Sequence, residues 1–238
     1  MNNTEFKPPY FEAKNKLPEP VAEYVAWLDV MGIQSSMMRS LHTAANFIFK
    51  LHVAALEQKK PKMRLYPIMD GVYVTTPDKE EMRSFLSEVF HRLATCFNEE
   101  NENKHRFLAK ASVAFGLVIH GHNVNSFASG VLKENEEYKN SILLGMPVVL
   151  ANQGEKFAPP FGIILHYSAL DMATRDEKKW SHTWWPWFEF GNDAIAQKLK
   201  KEIESYFRWC EERAGVINYD PARIKHHRAQ LIQYLVDA

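Results

Sequence analysis

Cysteine is scarce in this chain. There are two in 238 residues, Cys96 and Cys210, far apart and each inside a helix-like pattern. That excludes a disulfide framework and fits a reducing compartment. Net charge is absent too, because 29 Lys and Arg balance 29 Asp and Glu. A chain with no surplus of either sign is not a bulk nucleic-acid binder, and any anion site has to be a local cluster of cations. No stretch approaches the roughly 18 consecutive apolar residues of a membrane span. The opening residues, MNNTEFKPPYFEAKNK, lack the apolar centre of a signal sequence. There is no internal repeat and no low-complexity tract. These absences lead to the expectation of a soluble, cytoplasmic protein.

What is present is ample apolar content, 46% of residues, at a length suited to one elaborated domain or at most two small ones. Residues 1–21 carry four prolines and no period, and read as an N-terminal arm. EYVAWLDV, 23–30, reads as a buried strand. Apolar residues from Ile33 to Ala55 recur at steps of three and four, predicting one long amphipathic helix. MRLYPIMD and GVYVTT, 63–76, read as two strands meeting at Asp70-Gly71, a hairpin signal. Thr76-Pro77-Asp78 opens a helix through Phe97, and the charged run 98–106 reads as an exposed loop. ASVAFGLVIHG, 111–121, is the strongest strand; 126–138 is mixed. Residues 141–156 predict a short helix and 161–170 a strand. The aromatic stretch WSHTWWPWFEF, 180–190, is expected to cover the sheet or build a dimer, ahead of helices over 195–206 and from Asp220-Pro221 to Leu235. Strands and helices alternating around one hairpin predict an α+β sandwich with a mainly antiparallel sheet.

Two acids stand out. Asp29 closes the first strand and Asp70 sits at the hairpin tip. If the strands are neighbours, both carboxylates leave one end of the sheet and repel each other unless a cation lies between them. Mg²⁺ takes one or two protein carboxylates together with phosphate oxygens, and a pair of such ions polarises an attacking hydroxyl and holds a leaving oxygen at phosphorus. Gly32 and Gly71 leave room beside each acid. An Asp before Gly at a hairpin also serves as plain turn chemistry. An acid closing an apolar strand has no such use, so the pair points to a metal site.

The segments VAWLDVMGI, PIMDGVYV, ASVAFGLVIHG and LLGMPVVLANQ, in that order over roughly residues 22–170, resemble the catalytic domain of class III nucleotidyl cyclases. The resemblance implies a catalytic domain over 22–175 with a ferredoxin-like core. Residues 176–238 are then an aromatic-rich segment and C-terminal helices packed on the same domain. It implies a head-to-tail homodimer with sites shared across the interface. It also implies two divalent cations, Mg²⁺ or Mn²⁺, held by the catalytic acids Asp29 and Asp70 and the backbone of Val30. The reaction implied is attack of a nucleoside triphosphate's 3′-hydroxyl on its own α-phosphorus, with loss of pyrophosphate.

The departures from that pattern are specific. Purine cyclases of the class usually carry Lys or Glu four residues before the hairpin acid; Tyr66 stands there, and the second base-reading position falls near apolar Ile142. A bulky side chain with one hydroxyl implies a shallower pocket for a smaller base. In this the chain resembles the compact bacterial pyrimidine cyclases of Pycsar anti-phage defence, which make cyclic UMP or cyclic CMP for a separate effector. UTP is the favoured substrate and CTP the next; a purine cyclase and a non-catalytic nucleotide-binding or interaction domain are the rivals. Tyr66 also reads as an ordinary strand aromatic. The family's ribose-binding Asn and transition-state Arg fall on Val149 and Gln153, with Asn152 one shift away, so Asn152 and Gln153 are the substrate-binding candidates. Lys62, Arg64, Lys110 and Lys156 are charges expected at the solvated surface. His120 and His122 at i, i+2 share a strand face, a spacing that suits zinc, but no third ligand accompanies them and a packing role is expected.

Overall fold

The computed structural model describes residues 17–124, 132, 134–173 and 184–236. A seven-stranded sheet runs in the order β2-β3-β1-β4-β6-β7, with β5 also pairing β4. The strands are β1 (Val21–Val30), β2 (Arg64–Ile68), β3 (Gly71–Thr76), β4 (Ala109–His120), β5 (Leu143–Gly145), β6 (Ile163–Leu165) and β7 (Trp184–Trp185). Only the β4–β6 pair is parallel; the others are antiparallel. The outer strands are short or interrupted: β2 carries Pro67, and β7 is two residues long.

Alternation along β1 divides the molecule into layers. Tyr24, Ala26, Leu28 and Val30 face the main core. There they meet α2 (Leu41–Glu57), α3 (Lys79–Glu99) and α6 (Ala194–Glu212). Val25 and Trp27 face a smaller cluster with Tyr66, Tyr73, Ala114 and Val118. That side is covered by α5 (Met146–Glu155), through Ala151. Because β1 buries both faces, its sequence reads as a continuous apolar run. Three aspartates start helices: Asp78 accepts from the Glu80 and Glu81 amides, Asp193 from those of Ile195 and Ala196, and Asp220 from that of Arg223, each satisfying donors with no partner inside the helix. After α6, α7 (Ala214–Ile217) and α8 (Pro221–Tyr234) return to the main core through Ile217, Ile224, Leu231 and Tyr234.

Several elements differ from the sequence expectation. The single helix expected from Ile33 to Ala55 is two, α1 (Ile33–Arg39) and α2, because Ser40 adopts an extended backbone (φ −158°, ψ 110°) and its hydroxyl accepts the Thr43 amide. A serine that caps a new helix outcompetes continuation of the old one. Residues 141–156 hold β5 as well as α5. The strand expected over 161–170 is limited to β6; His166 then accepts the Ser168 amide and starts a 3₁₀ turn over Tyr167–Met172. A 3₁₀ turn also occupies Asn103–His105 in the charged loop. Of 126–138, the end of the segment holds the start of α4 (Glu136–Asn140), and residues 126–131 and 133 lie outside the described residues. So do 180–183 of the aromatic stretch; in the rest, Trp184, Trp185, Trp187 and Phe188 belong to the main core, and Trp187 donates to the Phe161 carbonyl at 2.7 Å. His120 ends β4 and His122 lies in the following 3₁₀ turn, so the two do not share a strand face.

Candidate functional site

The register of the sheet brings the two acids together. Asp29 lies opposite Gly71 in the β1–β3 pair, and the β2–β3 hairpin closes at Ile68 opposite Gly71. Met69 and Asp70 are therefore the two turn residues, and Asp70 directly precedes the residue facing Asp29. Antiparallel partners sit about 4.5–5.5 Å apart at Cα, so both carboxylates leave the same end of adjacent strands. The turn is bought with an uncommon backbone: Met69 has φ 53° and is 89% exposed, a left-handed conformation rare outside glycine.

Gly71 has a different reason from the one the sequence implied. A Cβ there would come within 2.3 Å of the Trp27 ring and 2.6 Å of the Leu28 carbonyl, so glycine at 71 makes room for Trp27, which packs on Tyr73 with ring centroids 4.4 Å apart. Gly32, at φ 72°, has open space around its missing Cβ; it supplies the left-handed turn between β1 and α1.

Electrostatics report the closeness of the acids. Burial, and then the charge of Asp70, push the Asp29 carboxyl up to about 7, against the pull of Lys110 and the Val30 amide. A buried carboxylate whose proton affinity a neighbouring carboxylate raises makes a ready site for a divalent cation. Among the described residues no group of three or more His, Cys, Asp or Glu side chains is placed to hold a metal. The donors on offer are thus two carboxylates plus backbone, a set that leaves positions open for ligand oxygens.

On its other side Asp29 faces Lys110 of β4. Lys110 is buried, with Nζ 2.6 Å from Glu155 Oε1 at the end of α5. Burial depresses its ammonium to about 8, with Asp29 opposing and Arg223 adding to the drop. From Asp29 a cavity of about 370 Å³ extends past the β1–α1 turn. Lys110, Glu155 and Lys156 line it, together with Asn218, Tyr219, Asp220, Arg223 and His227 from the C-terminal segment. Lys110 and Lys156 are therefore cavity charges, and Lys110 is not a solvated one. Exposed Lys62 pairs instead with Asp78 at 2.9 Å.

Tyr66, Asn152 and Gln153 do not line this cavity. Tyr66 is buried, its hydroxyl 2.6 Å from His120 Nδ1. His120 Nε2 lies 3.2 Å from Glu23 Oε2. Burial pushes Glu23 up, but hydrogen bonds from His120 and Thr75 outweigh it and leave the carboxyl below its usual range. An ionised Glu23 calls for the proton on Nε2, which leaves Nδ1 to accept from the Tyr66 hydroxyl. Asn152 and Gln153 are exposed on α5, with Asn152 against the Tyr73 hydroxyl. Sequence reasoning missed the C-terminal wall; no local pattern marks Arg223 or His227 among the charges of RIKHHRAQ.

No protein-family model matches the chain, and no curated protein matches it. Solved structures do. A light-regulated bacterial adenylyl cyclase superposes with a TM-score of 0.52 at 12% identity, over 66% of this chain and 47% of that one. The guanylyl cyclase domain of the RhoGC fusion protein from the aquatic fungus Blastocladiella emersonii gives 0.50 at 15% identity, over 66% of this chain and 85% of that one. The chain has the fold of class III nucleotidyl cyclase domains, a mixed α+β structure with a mostly antiparallel sheet. No described helix is long and apolar enough to cross a membrane.

Proposed function

We propose that this protein is a class III nucleotidyl cyclase that converts a pyrimidine nucleoside triphosphate, UTP first, to its 3′,5′-cyclic monophosphate and pyrophosphate. The observation that carries the proposal is the pairing of Asp29 and Asp70 at one end of adjacent strands, with the charge of Asp70 felt at Asp29. Their carboxylates, with the backbone of Val30, would hold two divalent cations, Mg²⁺ or Mn²⁺, which supply Lewis-acid activation of the 3′-hydroxyl and charge neutralisation at the α-phosphate. The chain's own residues do the rest. The β1–α1 turn at Gly32 lets backbone approach the phosphates, and Lys110 offsets negative charge beside Asp29.

The pyrimidine assignment is supported by Tyr66 at the position where a base is read. Its hydroxyl proton is tied to His120, and reading a base there would require the buried Tyr66 to be uncovered or reached across the proposed dimer. A purine substrate is the second reading, because the cyclases named above are adenylyl and guanylyl cyclases. The proposal includes a homodimer with sites completed across it; Leu117, Leu144, Met146 and Val149 are exposed apolar side chains on β4, β5 and α5 and offer such a face. The catalytic unit would span 22–175, with 176–238 packed on it, and the cyclic product would signal to a separate effector in anti-phage defence.

The test is incubation with each of the four ribonucleoside triphosphates and Mn²⁺, with products identified by mass. Cyclic UMP is the expected main product, and both Asp29→Asn and Asp70→Asn are expected to abolish it. A purine product alone rejects the pyrimidine reading. If no product forms while nucleotide still binds, the chain is a binding module of cyclase fold.

A further inference from the structure

We propose that α7 and α8 form the outer wall of a polyphosphate-binding cavity, and that Arg223 is the cation that meets the ligand's terminal phosphates. The inference deepens the reading above and rests on the Asp29 end of the sheet being the nucleotide end. The wall lies beyond the segment, ending near residue 170, that resembles cyclases.

Three observations carry it. The cavity that Asp29 lines is also lined by residues of α7, α8 and the turn between them, and its volume, about 370 Å³, falls in the range of small-molecule sites, roughly 300–1,000 Å³. Its lining is cationic in a chain of zero net charge: Arg39, Lys104, Arg106, Lys110, Lys156 and Arg223 against three acids, Asp29, Glu155 and Asp220. Most of these cations are already committed. Arg106 pairs with Glu202 at 2.8 Å, Lys110 with Glu155 at 2.6 Å, Lys104 with Glu102 at 2.5 Å, and Arg39 donates to the Ser35 carbonyl. Lys156 lies over the Phe157 ring, Nζ 4.9 Å from its centroid. The Arg223 guanidinium, exposed in the first turn of α8, has no ion pair or hydrogen bond among the described residues.

The field in the cavity agrees. His227, on α8 with its Nδ1 2.5 Å from the Tyr219 hydroxyl, is driven down to about 4 by burial and then by Lys110, Arg223 and His226. Burial leads, and the charges of Lys110 and Arg223 add to it, so both cations act on the same corner of the cavity, and a polyanion is the ligand class that relieves such crowding.

The experiment is calorimetric titration of the full chain with inorganic triphosphate, without divalent metal, at low and high salt. Wild type is expected to bind, with affinity falling as salt rises. Arg223→Gln should weaken binding by about tenfold or more, as expected for one charge-assisted contact, and Arg223→Lys should recover part of it. Lys225→Gln, also exposed on α8 but outside the cavity lining, should bind as wild type does. Equal melting temperatures would exclude misfolding as the cause. A parallel titration with UTP separates the sources: tighter binding of UTP than of triphosphate assigns the site to a nucleotide, and equal binding assigns it to free polyphosphate. Failure of wild type to bind millimolar triphosphate, or unchanged binding by Arg223→Gln, overturns the proposal. Triphosphate binding with no cyclic product from any nucleotide would instead sink only the cyclase reading.

Discussion

In the absence of a divalent cation, Asp29 should make the protein less stable as pH rises, and replacing it should remove that dependence. Its carboxyl is pushed from the ordinary 3.8 up to about 7. The folded state therefore holds this proton more tightly than the unfolded chain does. The sign follows: the group is neutral in both states below pH ~4, stability falls between pH ~4 and ~7 as the unfolded chain gives up the proton first, and the penalty is complete above pH ~7. The interval is roughly three pH units at about 1.4 kcal/mol each, or about 4 kcal/mol. That is a large share of the 5–15 kcal/mol typical of a domain. Urea denaturation of wild type and Asp29→Asn from pH 5 to 8, in EDTA, isolates the group, since other titrations cancel in the difference. Wild type should lose stability relative to the variant by a few kcal/mol over that range. Asp70→Asn should recover part of the loss, because it removes the repulsion and leaves the burial. Millimolar Mn²⁺ should flatten the wild-type profile by binding only the folded state. Parallel profiles for wild type and Asp29→Asn would refute the convergence of the two acids.

Three further outcomes are expected. Gly71→Ala places a methyl group against Trp27 and the Leu28 carbonyl, which should cost about 1–3 kcal/mol in urea denaturation and displace Asp70 enough to lower Mn²⁺ affinity. Tyr66→Phe leaves the buried His120 Nδ1 without its donor at about 1–3 kcal/mol; if Tyr66 reads the base, the product spectrum across the four triphosphates shifts as well. Asp193→Ala removes the N-cap of α6 and the contact with His91 Nε2 at 2.5 Å, costing about 1–2 kcal/mol for the cap. Burial pushes the Asp193 carboxyl up, but the Ala196 amide and His91 outweigh it and hold it below its usual range. The stability it adds is therefore present at neutral pH and lost as pH falls through its folded value, and thermal melts of Asp193→Ala and wild type should converge in acid.

The elements most legible in the sequence were those whose burial pattern is set locally. The run of β1, the hairpin over 63–76 and the apolar face of α3 read directly, but the hairpin's turn residues are Met69 and Asp70, one position earlier than the Asp70-Gly71 expected, and Gly71 opens β3 opposite Asp29. The break at Ser40 did not read, because the apolar period runs on through Met37 and Leu41, both of which turn out to be exposed. A period measures spacing and not which side chains find a core. Lys110 was visible as a charge but not as a buried one; its burial depends on Glu155, which another element delivers. The commitment of Tyr66 to His120 required knowing how the sheet is ordered, which lies outside any local window. The cavity wall of α7 and α8 was the least legible, since what makes Arg223 notable is its place in the cavity that Asp29 also lines and the absence of a partner among the described residues.

The two strands that bound the sheet have a consequence for assembly. Pro67 removes a backbone donor from one margin, and the other margin is only the Trp184-Trp185 pair. Among the described residues, neither presents the long ladder of free amides and carbonyls on which a further strand could be templated. A dimer of the kind proposed is then expected to form through side chains on a face, and to respond to apolar substitutions there rather than to the backbone of these margins.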